Sequence, residues 1–221
     1  MDIRITMRQP LRLLPVLVIF AAHTACGVMV SIPRAEAPAA GTAVGPEASG
    51  VEVLPREAWA EQPPGEGMRP HTISRIAVHH TAWRQNPEAT LTEKMRSLER
   101  FSRSRAELAP GRYKEPWPDV PYHWFIDLEG RVAEGRDVRY AGDTNTPYDP
   151  SGLHIVLEGN FEEEAPTAAQ LEALERMLRW GTARFGVPPE EITGHRDHVA
   201  TLCPGEALYG LLPRLREAVR D

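Results

Sequence analysis

The sequence has little cysteine, no surplus of positive charge and no apolar run long enough to span a bilayer. Only Cys26 and Cys203 occur in 221 residues, which excludes a disulfide-stapled scaffold. No C-x-x-C pair is present, so cysteine spacing alone announces no metal site. Lys and Arg number 25 against 31 Asp and Glu, a net charge of −6. Without a strongly basic surface to neutralise phosphates, a dedicated nucleic-acid binder is excluded. The longest N-terminal apolar run, Leu13 to Ala22, is about half the ~20 residues of a spanning helix. No internal repeat is visible.

What is present begins with a leader. Arg4, Arg8 and Arg12 precede that apolar run, and small residues follow it. This pattern reads as a secretion signal over residues 1–26. "HTAC", ending at Cys26, resembles a bacterial lipoprotein processing site, although His23 stands where such sites carry an aliphatic residue. A rival cleavage site is "AEA" at 35–37. Acylation of Cys26 would hold the chain on a membrane surface, each buried methylene contributing about 0.8 kcal/mol. The expected location is outside the cytoplasm, in the periplasm or cell envelope. Residues 27–50, rich in Ala, Pro and Gly, read as a tether. A single domain over 51–221 follows, long enough for one core. With Cys26 lipidated or removed, Cys203 has no partner within the chain, and a lone thiol in an exported protein requires an explanation.

The domain alternates strand and helix signals. "RIAVHH" (75–80) is an apolar, β-branched strand ending in two histidines. In 91–105, Leu91, Met95, Leu98 and Phe101 recur at helical spacing. "GRYKEPWPDVP" reads as an irregular loop. "YHWFIDLEGRVAEGR" reads as two short strands around a turn, and "GLHIVLEGNF" (152–161) as a further apolar strand. The clearest helix is 167–186, with Thr167 as cap, Gln170 at the capping-box position and Gly186 at its end. Leu171, Leu174, Leu178 and Phe185 share one face of it. "EEIT" reads as a short strand, and the last helix carries Pro213 as a kink or interruption. This alternation predicts an α/β domain, a central sheet covered by helices.

Chemistry concentrates in "TGHRDHVATLCPG" (193–205) and "HHTA" (79–82). Zinc accepts thiolate and imidazole donors, and catalytic zinc keeps three protein ligands and one position for water. Adjacent strand residues face opposite sides, so only one of His79 and His80 can join His195 and Cys203 at one point. A Cys–His nucleophile pair is the competing reading, because Cys203 sits just ahead of a helix, where a thiol pKa can fall. Local residues leave both readings open.

"IAVHHTAW", "DVPYHWFIDLEGRVAEGRD", "EGNFEEEAPTAAQLEAL" and "TGHRDHVATLCPGEALY" occur in that order. Together they resemble the zinc-dependent N-acetylmuramoyl-L-alanine amidases of the amidase-2 type, which share a fold with peptidoglycan recognition proteins. "LPREAWAEQPP" (54–64) resembles the entry segment of the recognition branch. The resemblance implies a mixed β-sheet flanked by helices, with Zn²⁺ held at one edge by His79, His195 and Cys203. His80 falls at a variable position. Tyr122 matches the catalytic tyrosine, which would donate to the developing oxyanion. Thr201 stands where some members have a catalytic lysine. Val156 stands where some place a glutamate base, with Glu158 as a nearby substitute.

The resemblance further implies hydrolysis, by zinc-activated water, of the amide between the lactyl group of N-acetylmuramic acid and L-Ala. The substrate would be peptidoglycan or a muropeptide, and the chain is expected to act as a monomer. Trp83, Trp117, Trp124 and Tyr148 are candidate groove walls, and Asn145 and Asn160 candidate donors. Arg139 or Arg196 would pair with a stem-peptide carboxylate, Arg196 equally suiting a structural ion pair. The alternative reading is a peptidoglycan-binding module without catalysis. Such proteins usually lack the cysteine ligand that this chain keeps.

Overall fold

Strand parity organises this domain. In the computed structural model, which describes residues 45–46, 50–144 and 151–220, Arg75–His80 forms the interior strand β2, its last five residues buried. Ile76 and Val78 face one layer of helices, and Ala77 and His79 the other. Around it lie β1 (Val53–Leu54), β5 (Trp124–Ile126), β6 (Val132–Glu134), β7 (Gly152–Leu157) and β8 (Ile192–Gly194). They form one six-stranded sheet in the order β1-β6-β5-β7-β2-β8. β5, β7, β2 and β8 run parallel, while β6 pairs antiparallel with β5, so the sheet is mixed. The leader 1–26 with Cys26, most of the tether, Asn145 and Tyr148 lie outside the described residues. No helix among the described residues is long and apolar enough to cross a membrane.

Each face of the sheet carries its own core. Ile76, Val78, Ile126, Leu153, Ile155 and Leu157 pack against helix α2 (Ala168–Phe185) and the C-terminal helix α4 (Leu212–Arg220). α2 begins at the expected capping box, in which Thr167 accepts from the Gln170 N–H and Gln170 reaches back to Thr167. It ends at Gly186, whose φ of 66° is left-handed and free of strain only for glycine. Leu171 and Phe185 are only partly buried; Leu174, Met177 and Leu178 are the fully enclosed members of that face. On the other side Phe125, Ala133 and Val156 meet Leu91, Met95 and Leu98 of helix α1 (Leu91–Arg103). α1 has a capping box of its own, Thr90 with Glu93. The entry segment closes this layer: Trp59 is fully buried and donates from Nε1 to the Glu134 carbonyl at 2.8 Å.

One expectation needs correction and another is refined. The stretch read as an irregular loop contains strand β4 (Arg112–Lys114), paired antiparallel with β3 (Ala106–Ala109) around the turn at Pro110 and Gly111. The prolines at 116, 118 and 121 dominate its sequence pattern, but they follow the hairpin rather than interrupt it. Lys114 ties the hairpin down. Its buried ammonium donates to the carbonyls of Ser102 at 2.8 Å and Ser104 at 2.6 Å, at the C-terminal end of α1, where the helix dipole favours a cation. The last helix is interrupted near Pro213, as expected: it divides into α3 (Glu206–Tyr209) and α4, with Pro213 the second residue of α4. It lies in the first turn, where a missing N–H costs nothing, so it starts a helix and does not kink one.

Leu174→Ala should lower unfolding stability by about 2–5 kcal/mol, because it opens a cavity under α2. Thr167→Ala should cost about 1 kcal/mol. Denaturant titration followed by circular dichroism checks both.

Candidate metal centre

Register assembles the site. Val78 pairs with Gly194, so one further step along both strands sets His195 beside His79, and their ring centroids are 4.6 Å apart. On β7, His154 and Val156 occupy the same face as Ala77 and His79, their partners in the ladder. His123, just before β5, hydrogen-bonds the backbone of His154. Four adjacent strands therefore place His123, His154, His79 and His195 in one row across the α1 face. His79 and His195 lie at the carboxyl ends of β2 and β8, the usual place for ligand sites in α/β sheets, while His154 and His123 stand behind them toward the amino ends of β7 and β5.

Cys203 closes the row. After β8 the chain makes a 3-10 turn over His195–Asp197. Asp197 Oδ2 accepts from the Gly194 N–H at 2.8 Å, and its Oδ1 accepts from the Tyr209 hydroxyl at 2.6 Å. Arg196 donates its N–H to the Cys203 carbonyl at 2.9 Å, and its guanidinium pairs with Glu162 and Glu206 and stacks on Tyr209. Thr201 Oγ1 accepts from the Cys203 N–H at 3.3 Å. These contacts return the thiol to the end of β2. Its sulfur lies 3.6 Å from His79 Nδ1 and accepts from the His80 N–H at 3.4 Å. One donor atom each from His79, His195 and Cys203 lies within 4.8 Å of the others.

The electrostatics suit a cation. Burial holds His79 well below its ordinary pKa, with neighbouring His195 adding to the effect. Burial likewise lowers His195 to about 4 and pushes the Cys203 thiol up to about 12. Both imidazoles are thus neutral at pH 7 and offer lone pairs as they stand, and only the thiol must lose a proton to bind a metal. His195 Nε2 is buried without a hydrogen-bond partner, while the same ring hydrogen-bonds the Thr144 backbone. An orphaned buried acceptor is costly. A thiolate and two imidazoles aimed at one point are a donor set that zinc accepts, and the residues fit such an ion.

Beside these donors opens a cleft of about 400 Å³, lined among others by Trp83, Phe101, Leu108, Trp117, Tyr122 and Thr201. The Tyr122 ring lies 5.1 Å from that of His79. Burial first, and Cys203 second, raise its pKa, so the phenol stays protonated. Trp83 and Trp117 are walls, as expected, edge-on to Phe101. Trp124 is not: its side of β5 faces α2, where it packs edge-on against Trp180 at 5.3 Å. His80 points to that same side and accepts from the Phe161 N–H at 3.2 Å. Arg139 pairs with Asp137, Asn160 accepts from the Glu162 N–H, and Arg196 braces the cysteine loop. Val156 is buried in the α1-side core. Glu158 accepts from the Asn86 and Leu128 N–H groups and pairs with buried Lys94 at 2.9 Å. It lines a separate cavity of about 300 Å³ rather than the metal cleft.

Sequence reasoning passed over His154, whose Nδ1 is 2.9 Å from His79 Nε2. Its signal was a lone imidazole inside the apolar run "GLHIVL".

Comparison with known proteins agrees with this fold. The family model described as N-acetylmuramoyl-L-alanine amidase matches residues 69–206. Peptidoglycan-recognition protein SD of Drosophila simulans is 31% identical over 166 residues, covering 73% of this chain and 84% of that protein. The N-acetylmuramoyl-L-alanine amidase of Sus scrofa is 29% identical over 167 residues, which are 72% of this chain but only 26% of that longer protein. The crystal structure of Drosophila peptidoglycan recognition protein SD superimposes with a TM-score of 0.64 at 30% identity, covering 74% of this chain and 94% of that one. With its mixed sheet, its His, His and Cys donors and a matched segment spanning most of the domain, the chain belongs to the amidase-2 family of N-acetylmuramoyl-L-alanine amidases.

Proposed function

We propose that this protein is a zinc-dependent hydrolase of peptidoglycan or its soluble fragments. It would cleave the amide between the lactyl group of N-acetylmuramic acid and the L-Ala of the stem peptide. The observation that carries the reading is the convergence of His79, His195 and Cys203 at the mouth of an aromatic-walled cleft. A bound zinc supplies Lewis acidity there, polarising a carbonyl and lowering the pKa of a water.

The chain's own residues supply the rest. The Trp83 and Trp117 walls hold the substrate and exclude solvent, which strengthens every electrostatic contact in the cleft. Tyr122, protonated and beside His79, donates a hydrogen bond to the carbonyl oxygen as negative charge develops on it. Thr201 already accepts from the Cys203 N–H through its oxygen, which leaves its hydroxyl hydrogen to orient a water or the leaving amine. Glu158 is committed to Lys94 and two backbone amides, so it is assigned no part in proton transfer. The leader and Cys26 support export to the cell envelope, with an acyl anchor at Cys26. Mass analysis of the mature N-terminus should show a diacylated or triacylated Cys26.

The relatives named as recognition proteins raise a second reading, binding without cleavage. Incubation with purified peptidoglycan separates the two. Release of stem peptides, lost in chelator and restored by Zn²⁺, is expected. If His79→Ala and Cys203→Ala release peptides at the wild-type rate, the assignment fails. Chelator, and not a thiol alkylator acting on the metal-loaded enzyme, should inhibit; the reverse pattern would mark a Cys–His peptidase.

Tyr122→Phe should lower kcat by about 10²–10³-fold, the usual cost of one oxyanion donor. Zinc content and melting temperature should stay at wild-type values, because the ring that packs on His79 is retained. Metal analysis and thermal unfolding of the same preparation check this.

A further inference from the structure

We propose that His154 is the positioning residue of the metal centre: its Nδ1 lone pair holds His79 in the one tautomer whose own Nδ1 can ligate. This rests on the metal-binding reading above.

His79 has two ring nitrogens with different neighbours. Nδ1 faces the Cys203 sulfur at 3.6 Å, and Nε2 meets His154 Nδ1 at 2.9 Å. Both rings are buried, which disfavours their charged forms. A neutral imidazole carries one N–H and one lone pair. Across the 2.9 Å contact one ring must therefore donate and the other accept. If His79 donates from Nε2, its Nδ1 lone pair is directed at the donor cluster. If His154 donates from Nδ1, the His79 proton sits on Nδ1 and blocks ligation. The tautomer of His154 thus selects between a competent and an incompetent ligand.

The surroundings build this arrangement in. The His154 ring occupies a slot between two glycines. A Cβ on Gly142 would lie 2.5 Å from its Cδ2, and a Cβ on Gly152 would lie 2.8 Å from its Cε1. The ring has no room to swing away from His79. His123, stacked on His154 at 5.4 Å with planes 14° apart, secures the backbone of the same residue. It donates from Nε2 to the Tyr140 carbonyl at 2.9 Å and accepts from the His154 N–H on Nδ1 at 2.8 Å. The His154 carbonyl in turn accepts from the His123 N–H at 3.0 Å. Metal-bound histidines commonly donate their second N–H to a carboxylate, a carbonyl or water. Here the acceptor is another imidazole, which must itself be held in register and tautomer.

The test reads the tautomers directly. Long-range ¹H–¹⁵N correlation spectra of the zinc-loaded protein should show a bare His154 Nδ1 and protonated Nε2 atoms on both His154 and His79. A protonated His154 Nδ1 would overturn the proposal, whatever any variant does. Competition against a chromogenic chelator supplies a second reading. His154→Leu removes the acceptor and should weaken zinc binding by about 10–100-fold. His154→Asn places an oxygen where Nδ1 stood and should restore near wild-type affinity. A folded His154→Leu protein with undiminished zinc affinity would also overturn it. A wild-type protein that binds no zinc at all would refute the metal reading itself, and so is distinguishable from failure of the His154 role.

Discussion

Three buried donor atoms aimed at one point are the constraint around which the α1 side of this domain is arranged. A thiol and two imidazoles cannot be packed together cheaply: each loses water, and His195 Nε2 receives no protein partner in exchange. A cation at that point uses all three lone pairs at once. Keeping the donors aimed then becomes a structural task. Asp197 and Arg196 hold the chain between His195 and Cys203 through backbone and side-chain bonds, and the His80 N–H meets the sulfur directly. All of this bracing governs where the sulfur sits.

The two faces of the sheet divide the labour. The α2 and α4 side is a conventional apolar core of strand residues 76, 78, 153, 155 and 157 against two amphipathic helices. The α1 side surrenders much of that burial to imidazoles, a phenol and an open cleft. Its packing is compensated at the rim by Trp59 and by the Lys114 ammonium, which caps α1 and lies 4.3 Å over the Trp117 ring. A cation beneath an aromatic wall stiffens it through attraction to the ring face. The wall of the cleft and the anchor of the β3–β4 hairpin are thus the same group of residues.

Much of this was legible in the chain itself. Thr167, Gln170 and Gly186 delimit a helix through local hydrogen bonds and a left-handed φ, so their signal survives without tertiary context. Alternation in "RIAVHH" made His79 and His80 mutually exclusive as ligands, and the structure separates them as expected, with His80 turned to Phe161. Trp124 was illegible as a core residue because an aromatic beside a tyrosine and a histidine looks like a groove wall. Only the parity of β5, set by its pairing with β7, turns it toward Trp180. Glu158 was ambiguous for a similar reason, since its buried partner Lys94 comes from a helix more than sixty residues earlier.

The sequence by itself determined the order and type of most elements, the α/β class with a central sheet covered by helices, and the chemical identities available as donors. These follow from periodicity, caps and side-chain chemistry, which act over a few neighbouring residues. Only the tertiary structure decided that His195 lies one register step from β2, that Cys203 folds back onto His79, and that His154 stands behind that ligand in a slot between two glycines. Such placements depend on how strands distant in the chain align and which way their side chains turn, and no local pattern encodes that geometry.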